Sequence, residues 1–515
     1  MTPAAKTAKS VLADRAAGVV VASAAGDALG AGYEFGPPLD PTTPVLMNGG
    51  GGFGWKPGEW TDDTQMALAI LTPLADGITD PAEIEAGFRA WFDSGPCDVG
   101  NQTRAVLGSA GPLVEAAARY LEKRPGSAGN GSLMRTGPVA LAHPDDPEAI
   151  AGLARVVSQR THPDPDCVDA CVLWSVAIDH TIHHAPASAE PWDWAEAARV
   201  GLPQLGEDRR ARWADLIDAA EVGVPLDFPE NGWVIHAFQA ALAAMCSTPV
   251  PASGARPRGD GGGAGTGGGY RATLEPADHL RLALEHAVRA GGDTDTVAAI
   301  AGSLLGARWG ATALPFPWRR LLAGQRVYGQ PTLDAADLER LARLAFNGGR
   351  PGAQGWPAVA SMLPHYEQDW ADAAKRAELG GVEFGNVHAV AAAIADGADA
   401  VISLCRMGTD EVPEGIEHHT LGLLDSTAEE NPNLAFLLAD TTDAINAMVD
   451  EGKRVYVHCV QAQNRTPTMA AAWLHHHGGM PADEALRRAG HALNQPKPFL
   501  AEAVRNMAGK PDPVS

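Results

Sequence analysis

The chain has a deficit of positive charge, with 39 Lys and Arg against 63 Asp and Glu and a formal charge of −24. That balance excludes a broad electrostatic footprint for DNA, RNA or an anionic bilayer. A pocket for a single phosphate stays open, since it needs only one Arg and a few backbone amides. No run of roughly 18 apolar residues is available to span a membrane. Met1 to Ala17 carries lysines but lacks the sustained apolar core of a secretory signal. The six cysteines (Cys97, Cys167, Cys171, Cys246, Cys405 and Cys459) show no paired metal-ligand spacing, and Cys167 with Cys171 reads as one face of a buried helix. Reduced thiols and a cytoplasmic location are therefore expected.

Strand-like alternation is nearly absent from the first three-fifths of the chain, which is rich in Ala, Leu and Gly. Helical periodicity is expected over Ala105–Leu121, Glu148–Gln159, Cys167–His183 and Val234–Met245, so this region reads as all-α. Its small residues permit close helix approach around a central site. A glycine-rich stretch at about 250–270 reads as a loop inserted within this domain, either inert or gating. The pattern changes after 346–380, the expected linker between a first domain over 11–345 and a second over 381–510. Beyond it, Ala400–Cys405, His419–Leu424 and Arg454–Cys459 read as short buried strands, with helices at Leu437–Val449 and Met469–His475. Strands alternating with helices predict an α/β domain with a largely parallel sheet.

Two acidic motifs lie where polar turns become apolar helices. They are Thr61-Asp62-Asp63-Thr64, after Trp60, and Gly292-Asp293-Thr294-Asp295-Thr296. Carboxylates and hydroxyls are hard ligands suited to Mg²⁺, Mn²⁺ or Ca²⁺. Either motif alone reads first as a helix cap; the pair together points to a split metal centre.

Residues 11 to about 320 resemble the ADP-ribosylglycohydrolase family through motifs that occur in order. These are Gly26-Asp27-Ala28-Leu29-Gly30 with Glu34, Trp60-Thr61-Asp62-Asp63-Thr64, Asp98-Val99-Gly100, Gly129-Asn130-Gly131-Ser132-Leu133-Met134-Arg135, Thr161-His162-Pro163 and Gly291-Gly292-Asp293-Thr294-Asp295-Thr296. The resemblance implies a compact all-α domain in which Thr61, Asp62, Asp63, Asp293, Asp295 and Thr296 hold two Mg²⁺, or Mn²⁺. It implies catalysis by Glu34, Asp62 and Asp293 at a ribose anomeric carbon, where positive charge develops as a glycosidic bond breaks. Glu34 would act as ligand, gate or acid/base. Asp98 would contact ribose, Gly129, Asn130, Gly131 and Ser132 would cradle ribose and diphosphate, and His162 would line the cleft. The implied partner is an ADP-ribosylated protein or small molecule; a non-catalytic ADP-ribose-binding module is the rival reading.

In the second domain His458-Cys459-Val460-Gln461-Ala462-Gln463-Asn464-Arg465-Thr466 follows a strand and precedes a helix. Cys, five residues, then Arg resembles the signature of dual-specificity and protein tyrosine phosphatases. That resemblance implies Cys459 as thiolate nucleophile, Arg465 as phosphate ligand, Thr466 easing thiol departure, and Asp425 as acid for the leaving oxygen. The partner would be a phosphorylated substrate. Ala462 stands where this family usually has glycine, which leaves three readings open: an active phosphatase, a phosphate-binding pseudoenzyme or a buried structural cysteine.

Overall fold

The computed structural model describes residues 7–187, 189–256, 273–351, 374–406 and 411–507. Most of the glycine-rich stretch and of the expected linker lies outside them. The chain forms two compact units, one within Met1–Val250 and Ala277–Gly352, the other largely within Ala353–Ser515.

The first unit is helical. Its elements are α1 (Lys9–Gly30), α2 (Asp62–Ala75), α3 (Pro81–Asp93), α4 (Asn101–Leu107), α5 (Leu113–Lys123), α6 (Pro147–Gln159) and α7 (Pro165–His184). They continue with α8 (Trp194–Arg199), α9 (Glu207–Val222), α10 (Val234–Ser247), α11 (Asp278–Arg289), α12 (Thr294–Trp309), α13 (Phe316–Leu321) and α14 (Ala335–Phe346). A two-stranded ribbon, β1 (Ala323–Gly324) with β2 (Leu333–Asp334), is a small addition. The helix expected over Ala105–Leu121 is in fact two, α4 and α5. Gly108, Gly111 (φ 89°) and Pro112 break it, because Gly111 adopts left-handed backbone and Pro112 begins a new helix without needing an N–H.

The centre of this unit is the pair α1 and α12, both buried on nearly every side. Small residues recur every four positions: Gly18, Ala22, Gly26 and Gly30 on α1, and Ala298, Gly302, Gly306 and Gly310 along α12 and its end. The two backbones touch. A Cβ added at Gly26 would lie 2.2 Å from the Ala298 carbonyl oxygen, and one at Gly302 would lie 2.2 Å from that of Ala22. The Thr294 hydroxyl donates to Gly30 O at 2.9 Å, which fixes the end of α1 against the start of α12. Trp174, fully buried on α7, packs against α12 and donates its indole N–H to Ile300 O at 3.1 Å and Ser303 Oγ at 2.9 Å.

The second unit is an α/β layer of β3 (Arg376–Leu379), β4 (Val382–Asn386), β5 (Ala400–Ser403), β6 (Glu417–Thr420) and β7 (Val455–Cys459), with α15 (Val390–Ala395), α16 (Leu434–Asp450), α17 (Arg465–His476), α18 (Ala482–Ala492) and α19 (Pro498–Asn506). Strand order is β3-β4-β7-β5-β6. The sheet is mixed: β3 and β4 form an antiparallel hairpin, while β4–β7, β7–β5 and β5–β6 pair in parallel. Central β7 and β5 are buried at every residue, as strands covered on both faces must be. The expected strand at His419–Leu424 ends instead at Thr420. Beyond it Asn431 holds the chain as a loop, bonding Leu424 N at 2.9 Å and Leu424 O at 3.0 Å.

Candidate active site and a second candidate site

The first site forms where α1 ends, α2 and α12 begin, and the loops of Glu34, Asp98 and Asn130 meet. Asp27, near the end of α1, is wholly buried. Its carboxylate accepts from Thr61 N (2.9 Å), Thr64 N (3.0 Å) and Thr64 Oγ1 (2.6 Å), so it fixes the first turn of α2. Thr61 caps that helix, with its hydroxyl 3.2 Å from Asp63 Oδ2. Asp293 stands at the N-cap position of α12 without a side-chain capping bond, and Asp295 and Thr296 lie buried in its first turn. Two sets of oxygens converge: Asp27, Asp63 and Asp295, and Glu34, Asp98 and Asp295, with the ligand atoms of each set within 4.8 Å of one another.

Concentrating acid this way raises every carboxyl in it. Burial, then the charges of Asp98 and Asp27, push Asp62 well above the usual range, and burial with Asp27 and Asp62 does the same to Asp63. Burial and Asp63 raise Asp295; burial raises Asp293 against bonds from Asn130 and others. Burial brings Asp27 to about 6, burial with Asp293 brings Asp98 to about 6, and burial with Asp293 and Asp98 brings Glu34 to about 8. Glu34 Oε2 and Asp63 Oδ1 are buried without a hydrogen-bond partner. Orphaned oxygens among repelling carboxylates fit a hard divalent cation, which would supply both the missing partner and the missing charge.

The loops are held by polar clamps. Gly36 and Gly292 form an antiparallel bridge that ties the Glu34 loop to the Asp293 loop. Phe35, beside Glu34, takes left-handed backbone (φ 59°) and is 73% exposed. Asn130 Nδ2 donates to Asp293 Oδ2 at 2.7 Å and to Asn231 O at 2.9 Å. Asn231 in turn accepts from Asp293 N at 2.9 Å and donates to Gly291 O at 2.9 Å. Glycine is required at 292, where φ is 75° and a Cβ would sit 2.4 Å from Asn231 Oδ1. Sequence reasoning gave no role to Asn231, Asp27 or Arg135. A lone Asn in a turn carries no pattern, but Asp27 and Arg135 lie inside the family motifs.

His162 is buried, and burial together with Arg135 lowers it to about 3, so the ring is neutral. Arg135 Nη2 donates to Thr161 Oγ1 at 2.6 Å, and that hydroxyl lies 2.8 Å from His162 Nδ1. The Nε2 edge of the ring faces the glycine loop, 3.1 Å from where a Cβ on Gly131 would be. Ser132 differs from its neighbours: its hydroxyl meets Ser158 (3.0 Å) and Cys171 (3.4 Å) in the interior, leaving its backbone to face the loop.

In the second unit Cys459 ends β7 and Arg465 opens α17, as a strand–loop–helix cradle requires. Arg465 Nη1 donates to Leu404 O at 3.0 Å, and its Nε lies 3.6 Å from Asp425 Oδ2. Burial opposes the Arg465 charge, but Cys459, Cys405 and Asp425 outweigh it and hold the guanidinium above its usual value. Ala462 is buried with φ 53°, the left-handed region that glycine enters at least cost. Thr466 donates to Gly385 O at 3.0 Å and so is bonded to β4. His458 is buried neutral, lowered by burial to about 3, with Nε2 2.7 Å from Ser403 Oγ.

The model of the family described as ADP-ribosylglycohydrolase matches residues 8–353. The chain is 30% identical over 314 residues to "ADP-ribosyl-[dinitrogen reductase] glycohydrolase" of Rhodospirillum rubrum, covering 59% of this chain and 89% of that protein. It is 26% identical over 334 residues to "ADP-ribosylarginine hydrolase Tri1" of Serratia proteamaculans, covering 63% and 79%. Among solved structures, an "ADP-ribosylglycohydrolase-related protein complex" aligns at TM-score 0.47, with 26% identity over 66% of this chain and 99% of that one. Human DUSP28 aligns at TM-score 0.22, with 17% identity over 25% and 89%. By the family match and these relatives, the chain belongs to the ADP-ribosylglycohydrolase family and is a hydrolase.

Proposed function

We propose that the first unit cleaves the glycosidic bond between ADP-ribose and an acceptor at the carboxylate cleft, with Mg²⁺ bound there. The observation that carries this is the convergence of two carboxylate sets, Asp27 with Asp63 and Glu34 with Asp98, on the shared buried Asp295. Thr61, Asp62, Asp63, Asp293, Asp295 and Thr296 would hold two ions, which when bound clamp ribose hydroxyls and lower the pKa of water. Glu34, whose Oε2 is buried without a hydrogen-bond partner, stands beside this ligand set as a ligand and as the acid/base for the departing acceptor atom. Asp98 contacts ribose, the Gly129–Gly131 backbone receives the diphosphate, and neutral His162 stiffens that loop from below. The names of two relatives favour arginine as the first acceptor to test.

ADP-ribose release from Arg-, Ser- and nucleotide-linked substrates tests the proposal, with Mg²⁺ and with chelator. Release should need metal and fall at least ~100-fold in Asp62→Ala and in Glu34→Gln, a typical contribution of one acid or metal ligand. Metal-independent release would overturn the assignment.

For the second unit, the placement of Cys459, Arg465 and Asp425 favours phosphomonoester hydrolysis. The Cys459 sulfur attacks phosphorus, the ester P–O bond breaks, and the leaving oxygen takes a proton from Asp425. Water then cleaves the phosphocysteine and releases phosphate. Cys459→Ser should abolish this activity and spare ADP-ribose release. Phosphate binding by the wild type without turnover would make the unit a sensor instead.

A further inference from the structure

On the second unit, at the far end of α17 from Arg465, three side chains converge. His476 Nε2 and His477 Nε2 lie 3.1 Å and 2.9 Å from the same oxygen, Asp443 Oδ1, on α16. All three ligand atoms fall within 4.8 Å of one another. Adjacent helical residues normally point apart. Here α17 ends at His476 and His477 is its C-cap (φ −101°), which lets two consecutive rings face one carboxylate, at 87° to each other with centroids 4.7 Å apart. His475 takes no part, because its ring nitrogens meet Met480 O and Met507 O.

We propose that Asp443, His476 and His477 form a binding site for Zn²⁺. Two imidazoles and one carboxylate match the three-ligand zinc centres that keep a fourth position for water, whereas Mg²⁺ and Ca²⁺ prefer oxygen alone. Ligand atoms 2.0–2.1 Å from a tetrahedral ion lie about 3.3 Å apart, close to the 3.1 Å and 2.9 Å that separate the two rings from Asp443. The carbonyl end of α17 adds negative potential that favours a cation. The ion joins α16 to the C-terminus of α17. Twelve residues of helix put it about 18 Å from Arg465, so its role is a clamp rather than part of the Cys459 loop.

The test uses the full-length chain, stripped with chelator and then saturated with Mg²⁺ to occupy the oxygen-rich cleft. Zn²⁺ is titrated by calorimetry, and Co²⁺ serves as the absorbing substitute. The wild type should bind one more equivalent of Zn²⁺ than His476→Ala/His477→Ala, with a higher unfolding midpoint when Zn²⁺ is present. Asp443→Asn keeps an oxygen that can accept from the rings and should bind at least ~100-fold more weakly, beyond the 10–100-fold cost of losing an outer partner. It carries the test if the double variant fails to fold. Equal stoichiometry and affinity across the three proteins would overturn the site. So would thiolate charge-transfer absorption from bound Co²⁺, which would place the ion on a cysteine.

Discussion

At the scale of single residues, two side chains sit in conformations or charge states that cost stability in a measurable way. Ala462 holds left-handed backbone, which costs an L-residue roughly 1–2 kcal/mol. Glycine would relieve that and give back ~0.4–1 kcal/mol through a freer unfolded chain. Ala462→Gly should therefore raise stability to urea by about 0.5–1 kcal/mol, and a loss would show that the methyl packs more than it strains. His279 is a different case. Trp309 Nε1 donates to its Nδ1 at 3.1 Å, so the proton sits on Nε2, which donates to Thr248 O at 3.0 Å. The neutral ring is satisfied on both sides, and burial lowers its pKa to about 4. The unfolded chain thus binds a proton near pH 6.5 that the native state refuses. Stability is complete above that pH and falls as pH drops towards 4, by on the order of 3 kcal/mol for this residue. In His279→Gln, urea midpoints between pH 7 and 4 should fall less steeply than in the wild type.

At the scale of elements, the decisive feature is the contact between α1 and α12. With a Cβ at position 26 placed 2.2 Å from a backbone oxygen, Gly26→Ala must part the helices, since neither side is a movable side chain. The neighbouring Asp27 and, across the contact, Asp295 then shift relative to each other. Loss of at least ~2 kcal/mol and of Mg²⁺-dependent ADP-ribose release is expected together, measured by urea unfolding and by turnover. Loss of stability with full activity would mean that the site tolerates the displacement. The helical class of this unit was legible because Ala-rich periodicity is long and strong. The break at Gly108–Pro112 was hidden by apolar residues on both sides that keep a helical rhythm. In the second unit β3 and β4 were missed. Arg376–Leu379 and Val382–Asn386 are short, carry charge, and turn at Gly380-Gly381, so they give no buried-strand signal. The two acidic motifs stand out in the sequence because ligand chemistry restricts residue type, and the fold brings Asp63 and Asp295 from them together with Asp27. Their supports, Asn231 above all, depend on distances that only the fold sets.

At the scale of the whole molecule, acid and base limbs of stability come from different places. Asp27 and Asp98 at about 6 and Glu34 at about 8 make the metal-free native state bind more protons than the unfolded chain from roughly pH 4 to 8. These carboxyls lower stability as pH rises through that window, while His279, His162 and His458 act in the opposite sense below about pH 6.5. The net fall therefore belongs to Glu34, and in chelator the thermal midpoint should drop between pH 6.5 and 8. Mg²⁺ should restore it by a margin that grows with pH, reaching ~2.7 kcal/mol at a hundred times its dissociation constant. Parallel curves with and without Mg²⁺ would count against the cleft as a metal centre.

The partnership of α1 with α12 also has a meaning in time. Gly30 and Thr294 touch but are 264 residues apart in the chain. A ribosome adding ~5–20 residues per second takes about 13–53 s to cover that distance. For that interval the first helix made has no mate, and Asp27 has neighbours from α2 but none from α12. The carboxylate cleft comes together only as the last stretch of its domain is synthesised, so a nascent chain stopped before residue 294 has Asp27 and Asp63 but lacks Asp295.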